Sequence, residues 1–143
     1  MSEVLKKRIR EHEGFRDTPY LDSLGKATIG FGHLITEEDE FEEGKQYPKE
    51  QLLKLFDKDF AKAEMGADQL VGHIPELHIE AKNIITEMVF QLGTTGVRKF
   101  KNMLSALEAR DYHRASLEML DSRWHAQTTN RCESLSKIMS QCA

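Results

Sequence analysis

The stretch EGFRDTPYLDSLGKATIGFGHL, residues 13–34, decides how this chain folds. β-forming side chains cluster in it together with frequent glycine and proline, which is typical of a small, tightly turned antiparallel sheet. In residues 3–12, Leu5 and Ile9 lie one helical turn apart among charged side chains. A short helix that ends at Gly14 is therefore predicted to lead into the sheet.

The pattern becomes helical after an acidic connector over residues 36–47. Leu52, Phe56 and Phe60 recur at four-residue spacing and predict one long helix over 48–68. Further helices are predicted over 81–92, ended by Gly93 and Gly96, then around 100–107, over 112–120, and around 135–142 with Thr128 or Thr129 as N-cap.

This order of elements predicts an α+β fold in which a small β-containing N-terminal lobe is joined by a long helix to an all-helical C-terminal lobe. We expect residues 1–143 to form a single domain. Within it, residues 13–60 are expected to form the β-containing lobe, and residues 70–143 with 1–12 the helical lobe. Such a plan leaves a natural crevice for a ligand.

Composition excludes several classes of function. A chain that is 39% hydrophobic and 31% charged is ordinary globular material, without the run of about 20 apolar residues that a membrane span needs. The histidines show no metal-ligand spacing, and there is no phosphate-binding glycine loop or basic aromatic groove. We therefore expect a monomer with no metal, no cofactor, no nucleic-acid partner and no stable membrane association.

The cellular compartment is predicted from the N-terminus and the cysteines. The first residues are charged and lack the apolar core of a secretory signal. Cys132 and Cys142 are predicted to share one helix, about 15 Å apart, which is too far for a disulfide. Both observations favour the cytoplasm of the cell that makes the protein.

Charge is distributed unevenly. Residues 1–80 hold 11 basic and 18 acidic side chains, a net charge of −7, whereas residues 81–143 hold 9 and 6, a net charge of +3. A polyanionic partner would therefore meet the C-terminal half first. Alternatively, the acidic run over 37–43 is simply a solvated loop.

Glu13, Asp22 and Thr28 are the candidate catalytic residues. Breaking a glycosidic bond takes two carboxyl groups with different tasks, one protonated to donate to the leaving oxygen and one ionised. A Glu that ends a helix and an Asp in the following hairpin can face each other, and the Thr28 hydroxyl can hold a water between them. Simpler interpretations exist: a surface Glu, a turn Asp and a β-branched strand residue.

The same residues resemble the phage-type lysozymes of glycoside hydrolase family 24, the T-even phage lysozyme group. Three blocks carry the resemblance in family order, and together they bracket nearly the whole chain. They are Glu13-Gly14 through Tyr20, Asp22 and 28–34; Met88 to Gln91 with Gly93, 95–97 and Phe100; and 122–124 with Gln127, Thr128, Asn130 and Arg131.

The resemblance implies a role for each matched residue. Glu13 is similar to the family's general acid, Asp22 to its second carboxylate, and Thr28 to the residue that helps to place the attacking water. Arg131 matches a residue that pairs with the acid. His33 and Asp59 match a pair that ties the small lobe to the long helix. The sugar cleft of the family is lined at the positions of Leu34, Phe90, Gln91 and Arg123. Gly32 is predicted to let a polysaccharide approach the backbone.

The function implied is hydrolysis of the β-1,4 bond between N-acetylmuramic acid and N-acetylglucosamine in peptidoglycan, by an endolysin that waits in the host cytoplasm until the membrane is permeabilised. Two alternatives remain: a lytic transglycosylase, and a non-catalytic peptidoglycan-binding component of a virion. The chain departs from the family in a shorter, more acidic segment between Leu34 and Phe56. It also differs at two cleft positions, Met103 and Glu118.

Overall fold

The computed structural model describes residues 2–22 and 25–143. Over these residues the order of elements is as follows. It is α1 (Ser2–Glu13), β1 (Arg16–Leu21), β2 (Ala27–Gly30), β3 (His33–Leu34), α2 (Lys49–Val71), α3 (Ile79–Arg98), α4 (Lys101–Glu108), α5 (Tyr112–Leu120), α6 (Arg123–Gln127) and α7 (Thr129–Ser140). The predicted α+β class is confirmed.

The sheet is antiparallel, with strand order β1-β2-β3. Tyr20 lies opposite Thr28 on the neighbouring strand, and Thr28 lies opposite Leu34 on the third. Directly opposed residues project from the same face of a sheet. One face of this sheet therefore carries the row Tyr20, Thr28 and Leu34.

The chain divides into two compact units. The first is Met1–Lys62 and the second is Ala63–Ala143, so α2 runs through the boundary. The lobe boundaries predicted from the sequence divide the chain differently and stay a prediction. Among the described residues, no helix is both long and apolar enough to cross a membrane.

The first unit is built around aromatic side chains. Phe31 contacts Phe15 and Phe56, with ring centroids 4.9 and 5.6 Å apart. Phe56 also stacks on Phe60, and Ile9 of α1 is fully buried. These contacts explain why the short sheet and α1 are stable together, since neither is large enough to form a core alone.

The second unit has a continuous apolar core to which α3 contributes its buried stripe, including Ile84, Ile85 and Met88. The predicted end of this helix is wrong in part. Gly93 does leave the helical conformation, with φ 79° and ψ 160°, but the helix resumes and continues through Arg98, so Gly96 is helical. A single residue without a Cβ atom can interrupt a helix without ending it.

Two further details differ from expectation. The five-residue helix α6 around the buried Trp124 was not predicted, because it is too short to show an apolar period. Cys142 lies beyond the end of α7, whereas Cys132 lies within it. Both cysteines are free thiols, as predicted, and both are buried.

Gly66, in the middle of α2, allows close packing against α3. A Cβ atom added there would overlap the Thr94 hydroxyl and approach Val89 Cγ1 to 2.8 Å. Both neighbours are β-branched and therefore stiff at χ1, so they cannot easily move aside. We predict that Gly66→Ala lowers the free energy of unfolding by about 1–3 kcal/mol, although alanine is the better helix former.

Thermal unfolding of Gly66→Ala, compared with Glu64→Ala at an exposed position of the same helix, checks this prediction. The Gly66 variant should melt several degrees lower than the wild type, and the Glu64 variant close to it. A Gly66 variant that melts at or above the wild-type temperature would contradict the packing argument.

Candidate active site

Glu13 is positioned by the end of a helix and by a glycine. It is the last residue of α1, and Gly14 follows with a φ of 73° that turns the chain into β1. A Cβ atom on Gly32 would lie 2.5 Å from Oε1 of Glu13 and 2.9 Å from its Cδ, and the φ of Gly32 is 77°. The positive φ favours glycine at residue 32, and its missing side chain leaves the Glu13 carboxyl group this position beside the turn. Sugar contact at Gly32 stays a prediction.

Asp22 is held by the turn between β1 and β2. Its backbone N–H donates to the Lys26 carbonyl at 2.9 Å, and the Lys26 N–H donates to Asp22 Oδ1 at 2.8 Å. The residue thus serves as a turn Asp, as the simpler interpretation predicted. The same bonds orient its carboxylate, so this role does not exclude a catalytic one.

Thr28 lies on β2 and is buried. Its hydroxyl donates to the Lys26 carbonyl at 2.9 Å. Because a hydroxyl has one proton and two lone pairs, this bond commits the proton and leaves the oxygen to act as an acceptor. Thr28 is therefore prepared to receive a hydrogen bond from a water or a sugar hydroxyl.

Tyr20 is affected by the charges of both candidate carboxyl groups. Burial raises the pKa of its phenol, the negative charges of Glu13 and Asp22 raise it further, and Arg16 opposes them. Both carboxyl groups are thus close enough to act on one hydroxyl, which lies across the sheet from Thr28. Tyr20 is thus influenced by both candidate carboxyl groups and pairs with Thr28 in the sheet, although the sequence pattern did not assign it to the site.

The two-residue spacing between Tyr20 and Asp22 was the signal that could have identified Tyr20 as a candidate site residue. Alternate residues of a strand project from the same face, and Tyr20 precedes Asp22 by two positions. Leu34, a predicted cleft residue, lies at the other end of the same row and is exposed, so it can contact a ligand.

His33 bridges two carboxylates within the first unit. Its Nδ1 lies 2.7 Å from Oδ2 of Asp59 on α2, and its Nε2 lies 2.9 Å from Oδ2 of Asp39 in the acidic connector. Asp39 also accepts the Thr36 backbone N–H at 2.8 Å. The contact between His33 and Asp59 is as predicted. The second partner, Asp39, was missed because one acidic residue within a run of acids carries no distinguishing signal.

The bridge shifts the pKa of His33 and that of Asp39. Burial alone would lower the pKa of His33, but the hydrogen bonds and charges of Asp59 and Asp39 outweigh it and raise the pKa. Burial would raise the pKa of Asp39, but its bonds to Thr36 and His33 outweigh burial and lower it. The imidazolium form is favoured because only a doubly protonated ring donates to both carboxylates.

The remaining predicted residues lie in the second unit. Gln91 accepts a hydrogen bond from Trp124 Nε1 at 2.9 Å, and its amide donates to Thr128 Oγ1 at 3.2 Å. Phe90 is partly buried and packs against the core. These contacts fix both side chains structurally, and their contact with sugar stays a prediction.

Arg131 and Arg123 have different surroundings. The Nε of Arg131 donates to Glu87 Oε2 at 2.9 Å, and both side chains are buried. This ion pair was not predicted, and the pairing of Arg131 with Glu13 stays a prediction. A cavity of about 530 Å³ in the second unit is lined by Arg123 together with Met103 and Glu118. That volume is in the range of small-ligand sites.

No group of three or more histidine, cysteine, aspartate or glutamate side chains within the described part of the chain is arranged to hold a metal ion. The site itself offers carboxyl and hydroxyl groups. A carboxyl beside a helix end, a second carboxylate on a hairpin and an acceptor hydroxyl fit acid–base catalysis of bond cleavage.

Comparison with known proteins agrees with this geometry. The family model for phage lysozyme matches residues 10–138. The chain is 29% identical to probable T4-type lysozyme 2 of Dictyostelium discoideum, over 92% of this chain and 90% of that protein. It is 30% identical to the pre-baseplate central spike protein Gp5 of Enterobacteria phage T4, of which it spans 26%. It is 28% identical to the peptidoglycan hydrolase gp36 of Pseudomonas phage phiKMV, of which it spans 15%.

The chain belongs to the phage lysozyme family and is a glycoside hydrolase of the lysozyme type.

The bridge at His33 makes stability depend on pH in a specific direction. A raised pKa in the folded state stabilises the fold below the unfolded value of about 6.5, and this contribution is lost as the pH rises through the folded pKa. The lowered pKa of Asp39 acts in the opposite sense, so its contribution is lost as the pH falls through its folded value. The bridge should therefore stabilise the fold most between these two titrations.

We predict that His33→Asn loses about 2 kcal/mol of stability near pH 5.5, the value of a hydrogen bond to a charged group. The loss should shrink at alkaline pH. Melting temperatures measured across pH check this, with His73→Asn as the control, because His73 pairs with Glu108 at the exposed surface. A His33 variant whose deficit is the same at every pH would show that the bridge is not ionic.

Proposed function

We propose that this chain cleaves the β-1,4 bond between N-acetylmuramic acid and N-acetylglucosamine in peptidoglycan by hydrolysis. The observation that carries the proposal is that the charges of Glu13 and Asp22 both act on Tyr20, whose partner on the next strand, Thr28, offers an acceptor hydroxyl. Membership of the phage lysozyme family and the similarity to a phage peptidoglycan hydrolase support the choice of substrate.

Glu13 acts as the general acid in this proposal. Its carboxyl group, packed against the backbone of Gly32, donates its proton to the leaving glycosidic oxygen. The bond to the anomeric carbon breaks, and positive charge develops on the sugar ring. Asp22 stays ionised and stabilises that charge, because its carboxylate is held in place by the Lys26 N–H.

The hydrogen bonds of the hairpin also determine whether the attacking water donates to Thr28 or accepts from it. Since the Thr28 hydroxyl donates to the Lys26 carbonyl, a water beside it must donate to Thr28. The second proton of that water is then directed to the Asp22 carboxylate, and a lone pair remains for the anomeric carbon. A single displacement of this kind inverts the configuration of the sugar.

The biological setting that we propose is host-cell lysis. The protein is held in the cytoplasm and reaches the wall after the membrane is permeabilised. The two free, buried cysteines are in keeping with a reducing compartment. The similarity to part of a phage spike protein favours a second candidate setting, in which a lysozyme domain of this kind works in a virion.

The role of Glu13 is tested by Glu13→Gln, which keeps the shape of the side chain and removes its acidic proton. We predict that clearing of chloroform-treated Gram-negative cells slows by about 100-fold or more, the usual contribution of a general acid. Glu11→Gln, at an exposed position of the same helix, is the matched control and should clear cells at the wild-type rate. Full activity of the Glu13 variant would refute the proposed acid.

The role of Thr28 is tested by a pair of substitutions. Thr28→Val keeps the branched shape but removes the acceptor oxygen, whereas Thr28→Ser keeps the oxygen. We predict that the valine variant loses about 10- to 100-fold in kcat because the water is misplaced, and that the serine variant retains most of the activity. Equal activity of the two variants, measured on purified peptidoglycan at matched stability, would argue against a role for the hydroxyl.

A further inference from the structure

The hydroxyl of Tyr20 has no assigned role, although it lies at the centre of the candidate site. Tyr20 stands opposite Thr28 in the sheet, so these two side chains project from one face, and Asp22 follows just after the end of β1. The charges of Glu13 and Asp22 both act on its phenol. The charges of both proposed catalytic carboxyl groups therefore reach the hydroxyl, and the residue that accepts from the water lies opposite Tyr20 on the next strand.

Two local features accompany the position of the Tyr20 ring, a cation–π contact and an irregular strand pairing. The Arg16 guanidinium lies 4.5 Å from the ring centroid, a cation–π contact that restricts the ring. The pairing of β1 with β2 is also irregular between Arg16 and Tyr20, a stretch that contains Pro19. Irregularities of this type re-aim side chains next to active sites, and proline is tolerated there because the ladder is already interrupted.

The phenol is a neutral donor rather than a nucleophile. Burial and the two carboxylates raise its pKa, so the proton stays on the oxygen through the pH range in which the carboxyl chemistry operates. No backbone or side-chain group in residues 2–22 and 25–143 forms a hydrogen bond with this hydroxyl. A partly buried hydroxyl that is protonated, held in place and not used by those residues is available to a ligand.

We propose that Tyr20 is a further substrate-contacting residue, whose hydroxyl donates a hydrogen bond to an oxygen of the sugar at the cleavage point. This inference rests on the proposed function, since it names a contact within the same site. The ligand oxygen is a hydroxyl or ether oxygen of the polysaccharide, because an anionic group would be repelled by the Asp22 carboxylate. Tyr20 thus joins Thr28 and Leu34 in one row of ligand contacts along the sheet.

The test is Tyr20→Phe, which removes only the hydroxyl. Kinetics on purified peptidoglycan should show kcat/KM reduced by about tenfold, the loss of one hydrogen bond to the substrate. The melting temperature should stay within about one degree of the wild type, because that hydroxyl has no partner in the described part of the fold. A structural role would instead lower the melting temperature.

Tyr47→Phe is the matched control, since the Tyr47 hydroxyl accepts the Glu42 N–H at 2.7 Å outside the site. It should keep the wild-type kcat/KM. Wild-type kinetics of Tyr20→Phe, or an activity loss that follows a lowered melting temperature, would overturn the inference.

A separate measurement distinguishes failure of this inference from failure of the proposed function. Glu13→Gln and the double variant Glu13→Gln/Tyr20→Phe are compared for binding to purified peptidoglycan, where no cleavage is required. If the wild-type protein shows no hydrolysis, the proposed function fails, and weaker binding of the double variant still supports the Tyr20 contact. Equal binding in that case would overturn the contact as well.

Discussion

The backbone of a single residue, Lys26, orients two of the three candidate catalytic side chains. Its N–H holds the Asp22 carboxylate, and its carbonyl accepts from both the Asp22 N–H and the Thr28 hydroxyl. One residue's backbone therefore orients the ionised carboxylate and sets the hydrogen-bond polarity of the hydroxyl next to it. Because these are backbone contacts within a tight hairpin, they are made before any substrate binds and require no reorganisation during the reaction.

A second constraint places the acid against this hairpin. The carboxyl group of Glu13, the proposed acid, lies where a Cβ atom of residue 32 would be, and Gly32 lies in the turn between β2 and β3. The acid is on a helix end and the second carboxylate is on a turn, so their surroundings differ from the start. The proposed mechanism gives the two carboxyl groups different tasks, and such a division depends on different surroundings. The bridge from His33 to Asp59 and Asp39 then ties β3 to α2 and to the acidic connector.

The features that could be predicted from the sequence depend on spacing along the chain. The choice of Glu13, Asp22 and Thr28 as candidates and the long α2 helix follow from motifs or apolar periods, whereas the contact of His33 with Asp59 was implied by the family resemblance. The features that were missed depend on register and on contacts between distant residues. The irregular pairing between Arg16 and Tyr20, the choice of Asp39 among six acids and the buried pair of Arg131 with Glu87 leave no local pattern. Gly93 shows a third limit, since a glycine predicts a break but not whether the helix resumes.

The stereochemistry of the new reducing end tests the central claim most directly, because the claim is that a water held between Thr28 and Asp22 attacks in one step. Proton NMR of a soluble glycan substrate in the first minutes of hydrolysis reports the anomer before it equilibrates. Attack by that water predicts that the α-anomer is formed first from the β-1,4 bond, with inversion. Initial formation of the β-anomer, or of a 1,6-anhydro end, would contradict the claim, because the attacking group would then be the Asp22 carboxylate or a hydroxyl of the sugar itself instead of water.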